Sequence, residues 1–303
     1  VSLTTGVGNA KSSGAFIMKS ANAGTLGVSG SMVFQTGTTS SGTSGLIKIQ
    51  SGSATNGKGA NVVVTVGSGN TLGGGDISMT AGETTAATNV AGVIQITGGA
   101  GSSGTAGQGG HLVSTAGAGT GGTGGSISLV TGAGTATSTG GIAIKSIASG
   151  GAGASGKLHF STGAGQKGSS GSVTMSTGTA ATGRGGHGVI SVGSSNLEGG
   201  SVVIGGGSSS ALTGGDIKII TGSGSATTSG SVRIKSVDAG TNGASGQLSF
   251  KTGVTTKGSS GEIKLSSGTA VAGLSGGVVV TGGSSANEGS IVSMTGGTTT
   301  GKT

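Results

Sequence analysis

The sequence contains no cysteine, proline, tryptophan or tyrosine, and its aromatic content is 1%. Without cysteine there is no disulfide framework and no thiol redox chemistry, so thiols carry no information about the compartment. Without proline, and with glycine not falling at every third residue, a collagen triple helix is excluded. The aromatics are Phe16, Phe34, Phe160 and Phe250. Four are too few to stack bases along a groove, and Lys and Arg nowhere form a run, so nucleic acid is not an expected partner. Charged residues make up only 7% of the chain, 15 cations against 7 anions with a formal net charge of +8. No apolar run approaches the ~18 residues of a membrane span. Val1 falls inside the repeat pattern described below, so any targeting segment is expected to have been removed or to lie outside this stretch.

What the chain has instead is glycine, 76 residues of 303. Such a composition ordinarily marks a flexible coil. The hydrophobic fraction of 31% and its arrangement argue otherwise. Cut at Gly-Gly or Ser-Gly steps, the chain falls into about twenty segments of roughly 15 residues, such as 31–45, 157–171 and 216–230. Each opens on a five-residue alternation of polar and apolar residues. Ile217 and Ile219 flank Lys218, Val232 and Ile234 flank Arg233, and Leu158 and Phe160 flank His159. Period-two alternation of β-branched and apolar residues predicts a half-buried strand. Frequent glycine and the lack of any i, i+3, i+4, i+7 pattern argue against helix.

The segments belong to a longer repeat. Residues 144–163, IKSIASGGAGASGKLHFSTG, recur 90 positions later as 234–253, IKSVDAGTNGASGQLSFKTG. The same frame lies near the start, with Lys19, Ser20, Gly24, Gly27, Ser29, Gly30, Phe34, Thr36 and Gly37. The expectation is one continuous array over 1–303, with internal units of about eight segments (15–140), six (141–230) and six (231–303 plus 1–14 of a next copy). One strand per segment buries too little to be stable alone. The predicted fold is therefore all-β, a parallel β-solenoid resembling a β-helix, with two segments per coil favoured over one. Its core is expected to hold Phe34, Ile144, Leu158, Phe160, Ile234, Leu248 and Phe250. In the repeat register, Thr303 and Val1 are separated by only three positions, and neither end carries a polar cap. That predicts head-to-tail joining of copies, or a window of a longer chain of the same repeat.

Motifs that carry chemistry are weak. Gly296, Gly301, Lys302 and Thr303 match G-x-x-x-x-G-K-[ST], but a P-loop also needs a preceding strand and a following helix, and glycine is everywhere here. His111, His159 and His187 sit at different repeat positions, which suits solvated residues better than zinc ligands. The carboxylates Asp76, Glu83, Glu198, Asp216, Asp238, Glu262 and Glu288 are scattered rather than paired, so no enzyme, cofactor or metal is expected. Lys145 and Lys235, like Lys167 and Lys257, recur at 90, and Lys19 joins the first pair. A ladder of such cations would suit an anionic polysaccharide or mineral surface. Sparse lysines also keep flat β-surfaces from sticking together, which is the plainer account.

The runs VSGSMVFQTGTTSSGTSG, GANVVVTVGSGNTLGGG, MTAGETTA and GSGSATTSG resemble the Gly/Ser/Thr-rich tandem-repeat extracellular proteins of diatoms and related stramenopile microalgae. The resemblance covers essentially the whole chain and implies an extracellular or cell-surface structural role, with no functional residues to carry over. The sequence is thus read as a building block of an extracellular fibre whose partner is another copy of itself. Alternatives are a carbohydrate- or surface-binding adhesin, a viral fibre segment, or, with less support, an ice-binding protein. An adhesin would be expected to carry an irregular, aromatic-bearing coil or tip, which is missing. Outward strand positions mix Ser, Lys, Thr, Arg, Gln and His instead of keeping the Thr rows that would order ice.

Overall fold

A computed structural model describes residues 1–8, 12–71, 73–103 and 106–298. The chain divides into two units, Val1–Gly156 and Lys157–Thr303. In both, the described residues form neither helix nor hydrogen-bonded strand. Bends and turns recur instead with the sequence period. In the first unit they fall at 25–26, 40–42, 55–57, 70–71, 87–88, 106, 120–122, 135–137 and 151–153. In the second they fall at 166–168, 181–183, 196–197, 210–212, 225–227, 241–242, 256–258, 271–273 and 286–287. Each segment is thus an extended stretch followed by a small-residue loop.

Several loops are closed at their necks by single backbone hydrogen bonds. Gly125 N–H donates to Gly117 O (2.9 Å), Gly215 to Gly207 (2.8 Å), Gly230 to Gly222 (3.0 Å), and Ser290 to Gly283 (3.2 Å). Glycine at the far side of the neck has a steric cause. A β carbon at Gly186 would lie 3.2 Å from Thr177 Cβ, and one at Gly230 would lie 3.2 Å from Thr221 Cβ. At Gly45 and Gly171 it would lie 3.3 Å from Cγ2 of Thr36 and Thr162. The rule is a residue, a glycine directly after it, and a second glycine nine positions on, whose bare backbone admits the first side chain. At the loop tips, short hydroxyl side chains accept backbone N–H groups that have no other partner: Leu197 donates to Ser195 Oγ (3.1 Å), Leu212 to Ser209 Oγ (2.9 Å) and Gly258 to Thr255 Oγ1 (3.1 Å). Gly42, with φ of +99°, closes a tip in a conformation that side chains disfavour.

The necks are also where packing concentrates. Only seven described residues are less than exposed, and six of them, Thr36, Ser51, Ala81, Ala116, Thr131 and Thr221, immediately precede a glycine. The seventh is Thr84.

These observations correct the β-solenoid. A solenoid ladder joins residues one coil apart, at least 15 positions in this sequence. The backbone hydrogen bonds of the described residues number twelve, and the widest spans 11 positions, Gly110 to Gly99. A globular chain of this length would hold on the order of 200. Alternation encodes a two-faced extended stretch, but a strand exists only when a neighbour supplies its hydrogen bonds. The core assignment falls with the fold: Phe34, Ile144, Leu158, Phe160, Ile234, Leu248 and Phe250 are 51–66% exposed, and no hydrophobic residue is buried among those described. Joining through solenoid ends loses its structural basis as well, and Thr303 lies outside the described residues.

Two-facedness itself survives. Where three apolar residues follow one another, the middle one is the most exposed: Val203 at 88% against Val202 at 50% and Ile204 at 68%, and Val279 at 82% against 55% and 69% for Val278 and Val280. Asp216 and Lys218, two apart on one side of their stretch, approach to 3.8 Å while Ile217 and Ile219 alternate with them.

Candidate functional site

The surface that sets this chain apart is its apolar one. Each segment contributes two to four large aliphatic or aromatic side chains on an extended stretch, and all of those described stand open to solvent. In the second unit two consecutive stretches come together. Phe160 from one, with Val173, Thr174 and Met175 from the next, lines a common hollow. Phe160 and Met175 are 15 positions apart, so neighbouring segments share a surface here without a hydrogen-bonded ladder between them.

A second hollow is lined by Ser195, Leu197 and Glu198 at a loop tip. Its geometry follows from the Ser195 hydroxyl that organises the tip, and the repeat counterpart is built alike, with Asn287 N–H donating to Ser285 Oγ (3.2 Å). Ser176, Thr177 and Gly188 with Met175 form a third, beside a loop neck.

The cations singled out by recurrence, Lys19, Lys145, Lys167, Lys235 and Lys257, are all exposed. Among the described residues the one ion pair is Lys218 with Asp216, both largely solvated, and a pair of this kind contributes little to stability. No group of three or more His, Cys, Asp or Glu converges among the described residues. His111, His159 and His187 are exposed. Of the P-loop-like pattern only Gly296 is described, and Gly301, Lys302 and Thr303 lie outside. No helix among the described residues is long and apolar enough to cross a membrane.

The neck residues were legible in the sequence and were not singled out there. Their signal is the spacing of a residue followed by glycine with another glycine nine positions on. It recurs at Thr5/Gly14, Thr36/Gly45, Ala116/Gly125, Thr131/Gly140, Thr162/Gly171, Thr177/Gly186, Thr221/Gly230 and Thr252/Gly261. A repeat-specific version uses ten: a β carbon at Gly30, Gly156 or Gly246 would meet Cβ of Ser20, Ser146 or Ser236 at 3.5, 3.4 and 3.5 Å. Three copies of one sequence frame thus fold locally in the same way. In each, a tight turn also forms, Gly27 donating to Gly24 O, Gly153 to Gly150 O and Gly243 to Gly240 O.

No family model matches the chain, and no curated protein or solved structure matches it either.

Proposed function

We propose that this chain is a structural building block of an extracellular or cell-surface fibre, formed by association of copies of itself, with no catalytic role. One observation carries the reading. The chain exposes 29904 Å², whereas a folded monomer of its mass would expose about 11,000 Å² and a fully unfolded one about 40,000 Å². The surplus is about 19,000 Å², and every large apolar side chain described is exposed. A solvated linker has no use for regularly spaced Val, Ile, Leu and Phe, and single chains rarely leave such surface uncovered. Another copy offers the same alternating stretches at the same spacing, so it is the natural cover. Specific interfaces need only ~1,600 Å² in all, so the surplus suffices for several neighbours.

Sedimentation and electron microscopy over a concentration series test the reading. Fibres or large assemblies are expected above a threshold. A chain that remains monomeric at every attainable concentration and salt sinks it.

A second reading, an adhesin for an anionic polysaccharide or mineral, rests on the exposure of Lys145, Lys167, Lys235 and Lys257 and their recurrence at 90. It predicts retention on such a surface by dispersed monomers.

A further inference from the structure

The hollow lined by Phe160, Val173, Thr174 and Met175 is where two neighbouring extended stretches of the described chain converge on an apolar surface that contains an aromatic ring. Phe160 is 66% exposed, and Met175 more so. Phenylalanine is the largest apolar side chain this sequence possesses, since Trp and Tyr are absent. Three of its four phenylalanines occupy the same repeat position, Phe34, Phe160 and Phe250, each with Met32, Leu158 or Leu248 two residues before it. All six of these side chains are exposed.

We propose that this hollow receives a Phe-bearing stretch from a second copy of the chain, its ring entering between Phe160 and Met175. The proposal rests on the self-associating reading above and specifies its contact. Chemistry selects the occupant. The ring of Phe160 and the thioether of Met175 favour an aromatic guest through edge or offset contacts and sulfur–ring attraction, which an aliphatic guest lacks. The chain itself carries that guest at Phe34, Phe160 and Phe250, in one repeat position, and again at Phe16, and all four rings remain uncovered in the single copy. A stretch that is both guest and host-wall makes association continue: with four Phe-bearing stretches, one copy engages more than one neighbour, and the contacts add through raised effective concentration. By sequence, Phe250, Ile263 and Leu265 are the repeat counterparts of the lining residues Phe160, Val173 and Met175. The exposed Val203, at the middle position of its stretch, lines none of the three hollows described above and serves as the control.

The test uses the full chain. Phe160→Trp introduces the sole tryptophan, so its emission reports this hollow alone. That emission is expected to shift to shorter wavelength as concentration rises through the assembly threshold. By sedimentation velocity, Phe160→Asn is expected to raise the concentration for half-assembly about ten- to a hundredfold. Phe160→Leu should recover most of that loss, and Val203→Asn should change it less than about threefold. If the Phe160→Trp chain assembles but its emission stays that of a solvated indole, or if Phe160→Asn assembles as the wild type does, the hollow is not the contact and only the broader reading stands. If the wild type never assembles, both fall together.

Discussion

The side chain of Thr221 lies over the bare backbone of Gly230, so that a β carbon placed on that glycine would approach Thr221 Cβ to 3.2 Å. One peptide further, Gly230 N–H donates to Gly222 O at 3.0 Å, and Thr221 is one of the few side chains not exposed. Steric fit and hydrogen bond act together at this neck, as they do at Ala116 and Gly125.

Gly230→Ala should therefore open its loop, because the neighbour to be displaced is a β-branched carbon next to the backbone. Gly222→Ala provides the contrast, since a β carbon there meets nothing within 4 Å. A backbone hydrogen bond of this kind is worth roughly 0.5–1.5 kcal/mol. Amide exchange at residue 230 should accelerate up to about tenfold in the Gly230→Ala chain, with residue 230 of the Gly222→Ala chain nearly unchanged. Equal exchange in the two variants would refute the steric account of the neck.

At the loop tips, Ser209 Oγ accepts from Leu212 N (2.9 Å) and more weakly from Ala211 N (3.4 Å). Ser209→Ala removes the acceptor of both bonds, whereas Ser208→Ala leaves them in place. Proteolytic cutting within 207–215 should quicken several-fold for the first variant alone. Identical digestion of both would mean that the hydroxyl does not order the tip.

A dispersed chain with no buried residue and twelve backbone hydrogen bonds among its described residues has nothing to melt cooperatively. Calorimetry of dilute protein should show no unfolding peak. A globular chain of this length would absorb on the order of 200 kcal/mol near its midpoint, so the distinction is large. A sharp endotherm in demonstrably monomeric protein would contradict the architecture described above.

Charge separates the fibre from the adhesin. With 15 cations and 7 anions, copies repel one another, and salt shortens that repulsion. Raising salt from about 10 mM to about 300 mM should lower the threshold for self-assembly. Binding to an anionic polysaccharide would weaken over the same range. Replacing Lys167 and Lys257 together by Ser should likewise promote assembly. Assembly that dissolves as salt rises would point to ion pairing instead of apolar contact.

Length, segment period, loop positions and the two faces of each stretch were determined by the sequence alone. They follow from local physics: glycine and hydroxyl residues decide where the backbone turns, and alternation decides which side chains share a face. The bends at 166–168, 181–183 and 256–258 fall within the small-residue tracts, and Val202 and Ile204 remain less exposed than Val203. The spacing of Thr221 and Gly230 was equally present in the sequence, but its meaning is steric and emerged only when the loop was closed in space. Only the tertiary structure decided whether Leu158 and Phe160 lie inside the chain or on its surface. An alternating stretch is equally compatible with a neighbour from its own chain or from another, because its periodicity fixes a face and not what covers it. Among the described residues the backbone bonds span at most 11 positions and form no ladder between segments, so those faces remain open.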